Sequence, residues 1–278
     1  MKKIIALAVA AVVAAPAMAD LTIGGSTELN LAAESNAAGT HSVETNVQVT
    51  AMSESETGMY VKAFAELELL ENANSNVDID DNYLEIGAAA ANVSFGERAA
   101  AVAWKGGDDS FAATTSMGYG FTGKKLDSIA AVDTIVNITA VEGLTLQVAG
   151  NLSDNADGTG VYAGYSMGGF GFAANIVNGS DEDGYAVSGT AGMGGATVSV
   201  SYAKAENKDS GLAVTAAMGA VDVTIARMKD DATGNAETVY YGRYNLGNMG
   251  VEGFNVDVGA GSGTDAETRV GAELTYTF

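Results

Sequence analysis

The chain ends in the stretch RVGAELTYTF, residues 269–278, in which apolar and polar residues alternate without a break. Successive side chains of an extended strand point to opposite faces. Val270, Leu274 and Phe278 therefore share one face, while Arg269 and Glu273 share the other. The first face is suited to hydrocarbon and the second to water. This segment is therefore predicted to be a strand with hydrocarbon on one side and water on the other.

The same period of two recurs along the chain in segments of about ten residues that are separated by turn residues. We predict sixteen strands, at residues 21–32, 42–52, 59–70, 82–88, 92–97, 128–140, 144–152, 160–167, 170–178, 184–192, 196–205, 211–218, 221–228, 238–246, 254–261 and 268–278. Short glycine-rich connections such as residues 168–169 alternate with longer polar ones such as residues 229–237. This alternation predicts an all-β, antiparallel, up-and-down transmembrane barrel with two unlike ends.

The first residues, MKKIIALAVAAVVAAPAMAD, combine Lys2 and Lys3 with an apolar run and a small-residue site at 17–19. This arrangement is typical of a secretory signal peptide. We predict that residues 1–19 are the signal peptide and that residues 20–278 form a single barrel. The sequence has no cysteine, so neither disulfide bonds nor cysteine metal ligands are available to it.

The formal net charge of −22 argues against a nucleic-acid partner, because a nucleic-acid-binding protein needs a basic surface. His41 is the only histidine and lies in a predicted external loop, so we expect neither a zinc hydrolase nor a Ser-His-Asp hydrolase, and no enzyme. No cofactor is expected. Residues 78–81 (DIDD) and 153–158 (SDNADG) carry oxygen ligands but complete no EF-hand loop, so a structural calcium ion stays an open alternative.

A barrel of sixteen strands is wide enough to enclose water. Alternation along the strands places Lys62, Arg243 and Arg269 on the water-facing side. The acidic residues predicted to face the lumen in the same way are Glu28, Glu44, Glu66, Glu68, Glu85, Asp222, Asp257 and Glu273. Residues 98–127 are too long and too apolar for an ordinary solvated loop and include Trp104, so we predict that they fold against the inner wall.

These features resemble the general diffusion porins of Gram-negative bacterial outer membranes. The resemblance rests on the AMA leader, on NYLEIGAAAANVSFGER at 82–98, on the long segment after it and on the ELTYTF ending. It implies that the segment 98–127 is a third external loop that narrows the pore. Asp108 and Asp109 would then face a set of wall cations, with Arg98, Lys62, Arg243 and Arg269 as the candidates.

The resemblance further implies a homotrimer in contact with membrane lipid, and an assembly signal at Tyr276 and Phe278 that the barrel assembly machinery reads. The expected function is passive diffusion of ions and small hydrophilic solutes, with a preference for cations because the lumen is acidic. The alternative is a secreted, acidic, glycine-rich β-solenoid or adhesin with a structural, calcium-binding role. A solenoid would need a fixed repeat period, which the sequence does not show.

Overall fold

The residues described are those of a computed structural model, at 20–35, 38–71, 78–98, 100–104, 132–150, 159–178, 183–205, 210–229, 236–264 and 268–278. They contain sixteen β-strands, which form one closed antiparallel barrel. Each strand pairs with its neighbours in sequence, and the first strand pairs with the last. The described part of the chain contains no helix long and apolar enough to cross a membrane.

The strand bounds are β1 (Asp20–Glu34), β2 (Thr40–Glu54), β3 (Tyr60–Glu71), β4 (Asp78–Ala88), β5 (Ala91–Arg98), β6 (Val132–Ile138), β7 (Leu144–Gly150), β8 (Thr159–Met167), β9 (Phe170–Asn178), β10 (Asp183–Met193), β11 (Ala196–Ala205), β12 (Ser210–Met218), β13 (Val221–Lys229), β14 (Ala236–Gly247), β15 (Phe254–Gly263) and β16 (Arg269–Thr277). The predicted barrel of sixteen antiparallel strands is confirmed. The alternative of a β-solenoid is wrong, because the sheet closes on itself.

Only β9 and β11 have the predicted bounds, and β4 and β6 show two causes of the differences in the other strands. β4 begins at Asp78 instead of residue 82, so the DIDD stretch belongs to a strand and not to a loop. It pairs with β3 beyond a register shift between Ala65 and Leu67, where backbone hydrogen bonds need no apolar alternation. β6 ends at Ile138, two residues earlier than predicted, because residues 139–143 form the turn to β7.

The two faces of the sheet differ sharply in solvent exposure. On β9, Phe172 and Ile176 are 66% and 65% exposed. Asn175 and Val177, on either side of Ile176, are only 4% and 2% exposed. The exposed members of such alternations are large and apolar, so they form the outer face that meets lipid. The intervening side chains form the inner wall.

Short turns lie together at one end of the barrel. Gly168 and Gly169 join β8 to β9 with φ values of 58° and 85°, and Gly194 and Gly195 join β10 to β11 with φ values of 59° and 90°. Two-residue hairpins of type I′ need positive φ at both central positions, which glycine adopts without strain. Outward-facing aromatic residues crowd near this end, among them Tyr165, Phe170, Tyr244 and Tyr276, as expected of an interfacial girdle.

The barrel closes where β1 meets the C-terminus. Gly25 and Phe278 exchange two backbone hydrogen bonds, of 3.1 and 3.0 Å. The Phe278 ring packs over Gly25 and stacks on Tyr276 at 6.3 Å between ring centroids. A Cβ at position 25 would lie 2.9 Å from the Phe278 ring and would overlap the backbone carbonyl of Asn46. Position 25 therefore requires glycine, because a larger residue would collide with the Asn46 carbonyl and the Phe278 ring.

We expect Gly25→Ala to destabilise the barrel by about 1–3 kcal/mol, since the added methyl group forces the seam apart. Gly189→Ala is the matched control, because a Cβ at this strand position would make ordinary contacts of 3.9 Å with Phe172. The measurement is the midpoint of urea unfolding in detergent, followed by the loss of the compact form on unheated gels. Equal midpoints for the two variants would contradict the proposed packing at the seam.

Candidate functional site

The inner wall of β3, β4 and β5 carries a charged cluster around Glu85. Arg98 Nη1 lies 2.7 Å from Glu85 Oε2, and the Tyr60 hydroxyl donates to Glu85 Oε1 at 2.7 Å. Glu85 is only 7% exposed and both of its oxygens have partners. Its charge is therefore balanced by Arg98, which is held in one position on the wall.

Two aromatic rings complete this cluster and were not recognised from the sequence. Phe64 and Tyr83 stack with their centroids 5.0 Å apart. Lys62 Nζ donates to the Tyr83 hydroxyl at 3.2 Å, and Arg98 Cζ lies 4.6 Å from the Tyr83 ring centroid. Phe64 lies two positions from Lys62 on β3, and Tyr83 lies two positions from Glu85 on β4. Each ring therefore shares the face of a predicted lumen residue, which was the sequence signal that could have identified it.

A second charged cluster lies on the inner wall of β13, β14 and β15. Arg243 Nη2 is 3.1 Å from Asp222 Oδ2, and its Nε is 3.9 Å from Asp257 Oδ1. Asn245 and Asn255 each donate to a different oxygen of Asp257, at 3.0 and 2.6 Å. Asp257 is 5% exposed, so this carboxylate is buried with its hydrogen bonds satisfied. Two carboxylates thus offset the charge of Arg243.

An acidic row lies between these clusters, on β1, β2 and β3. Glu28 and Glu44 stand directly opposite one another across the β1–β2 ladder. Asn30 Nδ2 donates to Glu28 at 2.5 Å, and Asn46 Nδ2 donates to Glu44 at 2.6 Å. The register continues this row to Glu66 and Glu68 on β3, opposite Gln48 and Asn46. Amides, rather than cations, therefore solvate the two facing carboxylates.

The last strand adds one cation and one acid to the inner wall. Arg269 and Glu273 alternate with outward residues on β16, and Glu273 stands opposite Asp257 on β15 and Asn30 on β1. The four candidate wall cations thus form two groups and not one cluster. Lys62 and Arg98 lie on β3 and β5, while Arg243 and Arg269 lie on β14 and β16.

The segment after β5 turns into the barrel and packs on its wall. The Ala101 backbone N–H donates to Gln147 Oε1 at 2.6 Å, and the Ala103 N–H donates to Asn175 Oδ1 at 2.8 Å. Ala103 is fully buried and Trp104 is 6% exposed. They join an apolar patch of the inner wall that consists of Ile135, Ala149, Val177, Ala186, Ala203, Ala213, Ala226, Met228 and Val239.

The predicted constriction acids Asp108 and Asp109 lie outside the described residues, as does most of the segment 98–127. Arg98 itself is the last residue of β5. Within the described ranges, no group of three or more histidine, aspartate or glutamate side chains is placed to hold a metal ion. The SDNADG stretch also lies outside them, so calcium binding stays an untested alternative.

Comparisons with known proteins agree with this architecture. A family model described as Gram-negative porin matches residues 6–278. A loop-deletion mutant of OmpT, an outer membrane protein of Vibrio cholerae, has a TM-score of 0.70 at 18% identity, covering 94% of this chain and all of that one. A mutant of the Rh. blastica porin has a TM-score of 0.69 at 15% identity, covering 93% and 100%. No curated protein matches the chain.

We expect Asn175→Leu to release the segment 100–104 from the wall, because the buried Ala103 N–H loses its acceptor. An unpaired buried donor costs about 1–3 kcal/mol, which raises the population of the detached state roughly 5-fold to 150-fold. Lys105 is the next residue in the sequence after this segment, so the measurement is the rate of trypsin cleavage after Lys105 in the folded barrel.

Asn178→Leu is the matched control, since Asn178 ends the same strand on its exposed outer face. It should leave cleavage at the parent rate. Identical cleavage rates for Asn175→Leu and the parent protein would show that the Asn175 contact does not hold the segment.

Proposed function

The chain belongs to the Gram-negative porin family, and we propose that the channel it forms favours small cations over anions. It is an integral β-barrel of the outer membrane, with a water-filled lumen for passive diffusion of ions and small hydrophilic solutes. Selectivity in such a pore depends on the charges that line it.

The balance of charge on the inner wall supports this proposal. The arginines Arg98 and Arg243 are each paired with wall carboxylates, so their fields are largely cancelled for a passing ion. Glu28, Glu44 and Glu66 have no cationic partner within 4.0 Å among the described residues. The uncompensated charge of the wall on β1 to β3 is therefore negative, and low-dielectric walls concentrate its field within the lumen.

We further propose that Asp108 and Asp109 add to this field at a constriction. The direction in which the chain leaves β5 supports the idea, because residues 100–104 pack on the inner wall of β7 and β9. Trp104, the last described residue of this segment, packs on the lumen side of the wall. Carboxylates carried on this segment would lie in the path of permeating ions.

The barrel is also proposed to assemble as a homotrimer, as the similar OmpT structure is described in a trimer form. Tyr276 and Phe278 are proposed as the signal that the barrel assembly machinery recognises. Both rings face outward at the end of β16 and are 44% and 54% exposed, which leaves them accessible before the seam closes.

We predict a cation-selective reversal potential in a planar bilayer under a KCl gradient, and a shift toward zero in the double variant Glu28→Gln, Glu44→Gln. A unit charge about 5 Å from an ion changes its energy by about 0.8 kcal/mol even at the dielectric of water. Each lost carboxylate therefore lowers the local cation concentration about 4-fold. The measurement is the ratio of potassium to chloride permeability.

Glu97→Gln is the control for total charge. Glu97 stands opposite Asn82 on β4, and both share the outer face with Leu84 and Phe95. Its neutralisation should leave the reversal potential unchanged. Anion preference in the parent protein would overturn the proposal, and an equal effect of Glu97→Gln would show that net charge rather than lumen position matters.

For the constriction, we predict that the double variant Asp108→Asn, Asp109→Asn lowers the potassium-to-chloride permeability ratio while the single-channel conductance in high salt stays close to that of the parent. Amide and carboxylate groups have similar size, so the change removes charge without widening the pore. High salt screens the remaining field. An unchanged permeability ratio would place these two acids away from the ion path.

A further inference from the structure

Four polar side chains and one glycine form a row across the inner wall of five adjacent strands, from β3 to β7. The register places Tyr60 on β3 opposite Gly87 on β4, and Gly87 opposite Asn92 on β5. Asn92 stands opposite Asn137 on β6, and Asn137 stands opposite Gln147 on β7. Side chains directly opposite one another on one face of a sheet are close enough to interact, so this row can carry a continuous set of contacts.

Gly87 is the member of the row that has no side chain, and its two neighbours meet across it. A Cβ at position 87 would overlap the Cβ of Asn92 and would lie 2.8 Å from the Asn92 Cα. The Asn92 amide reaches over this position and donates a hydrogen bond to the Tyr60 hydroxyl oxygen. Glycine at position 87 therefore leaves the space through which β5 and β3 are joined.

The hydrogen bonds of the row all run in one direction. The Ala101 backbone N–H donates to Gln147 Oε1 at 2.6 Å, and Gln147 Nε2 donates to Asn137 Oδ1 at 2.8 Å. Asn137 Nδ2 donates to Asn92 Oδ1 at 2.9 Å, and Asn92 donates to Tyr60. We call Asn92, Asn137 and Gln147 the amide row. Each of its members accepts on the side of the segment 100–104 and donates on the side of Tyr60.

The two ends of the row fix this direction. The Tyr60 hydroxyl donates to Glu85 Oε1 at 2.7 Å, and Glu85 Oε2 accepts from Arg98 at 2.7 Å. An ionised carboxylate can only accept and a backbone N–H can only donate. If one amide were reversed, it would set N–H against N–H on one side and oxygen against oxygen on the other. Tyr60 is the group that accepts from the amide row and donates to the carboxylate.

We propose that Tyr60 is a positioning residue for the segment 100–104. Its hydroxyl joins the Glu85 carboxylate to the amide row and so keeps Gln147 Oε1 directed at the Ala101 N–H. Hydrogen bonds in such a chain polarise one another, and the energetic coupling passes along contiguous contacts. The effect of Tyr60 on ion permeation rests on the constriction proposed above, because the constriction acids follow on the same segment.

The test is a double-mutant cycle of Tyr60→Phe and Gln147→Leu, read as the rate of trypsin cleavage after Lys105 in the folded barrel. Tyr60→Phe deletes one hydroxyl group, so cleavage should rise about 5-fold, the equivalent of one hydrogen bond. Gln147→Leu removes the acceptor that the segment uses, and on this background Tyr60→Phe should add nothing. On the background of Asn175→Leu, which removes a separate anchor, the effect of Tyr60→Phe should persist.

A second variant interrupts the row at the next link. Asn92→Leu should raise cleavage about as much as Tyr60→Phe does, and the two changes together should have no more effect than either alone. Tyr240→Phe is the matched control, because it removes a tyrosine hydroxyl from the outer face of β14, where Tyr240 is 51% exposed. It should leave cleavage at the parent rate. Unheated gels verify that each variant retains the compact form.

Two results would overturn the proposal. One is an unchanged cleavage rate in Tyr60→Phe. The other is an effect of Tyr60→Phe that persists in full on the Gln147→Leu background, because the change would then reach the segment through Glu85 and Arg98 and not through the amide row.

Ion permeability separates this proposal from that of the constriction. If the segment carries the constriction acids, Tyr60→Phe should lower the potassium-to-chloride permeability ratio in the same direction as the double variant Asp108→Asn, Asp109→Asn. Coupled cleavage rates with an unchanged permeability ratio would support the role of Tyr60 and contradict the constriction. Uncoupled cleavage rates would contradict the role of Tyr60 whatever the permeability ratio.

Discussion

A strand that faces hydrocarbon must find a partner within the protein for each backbone amide and carbonyl group, because lipid offers none. In this chain the requirement is met only when β1 pairs with β16, since every other strand already pairs with its neighbours in sequence. The mutual hydrogen bonds of Gly25 and Phe278 lie at that seam. Closure also returns the last strand to the end that carries the short turns, so the longer connections share the other end.

Once the sheet is closed, the pleat alone decides which side chains meet lipid and which meet water. The same alternation that turns Ile225 outward turns Thr224 and Ala226 inward. It also sorts the charges, because neighbouring positions on one strand belong to different environments. Arg243 on β14 is balanced by wall carboxylates in the lumen, whereas Arg227 on the adjacent strand β13 faces outward. A single sequence period therefore sets both the pore lining and the lipid contact.

The alternation of apolar and polar residues along the strands made much of this fold predictable from the sequence. The bounds of β9 and β11 were predicted to the residue, because a two-glycine turn precedes each strand and a polar acidic connection follows it. The start of β4 was not predicted, because Asp78–Asp81 lacks apolar alternation and is held by its pairing with β3. Strand ends beyond the apolar band need only backbone hydrogen bonds, so their sequences carry little signal.

For the residues that line the lumen, the alternation along each strand predicted which face a side chain occupies. It did not predict which side chain on a neighbouring strand it contacts. The pairing of Arg98 with Glu85 and the stacking of Phe64 on Tyr83 depend on the register between strands, and the period of one strand does not set that register.

The inner wall also explains how the segment after β5 is positioned relative to the wall charges. Asn137 Nδ2 donates to Asn92 Oδ1 at 2.9 Å, Gln147 Nε2 donates to Asn137 Oδ1 at 2.8 Å, and Gln147 Oε1 accepts from the Ala101 N–H. This chain of amides crosses β5, β6 and β7 and ends on the segment itself. Amides carry no net charge, so they fix the backbone without adding to the field of the lumen. The wall therefore positions this segment through neutral hydrogen bonds, which do not involve the carboxylates on β1 to β3.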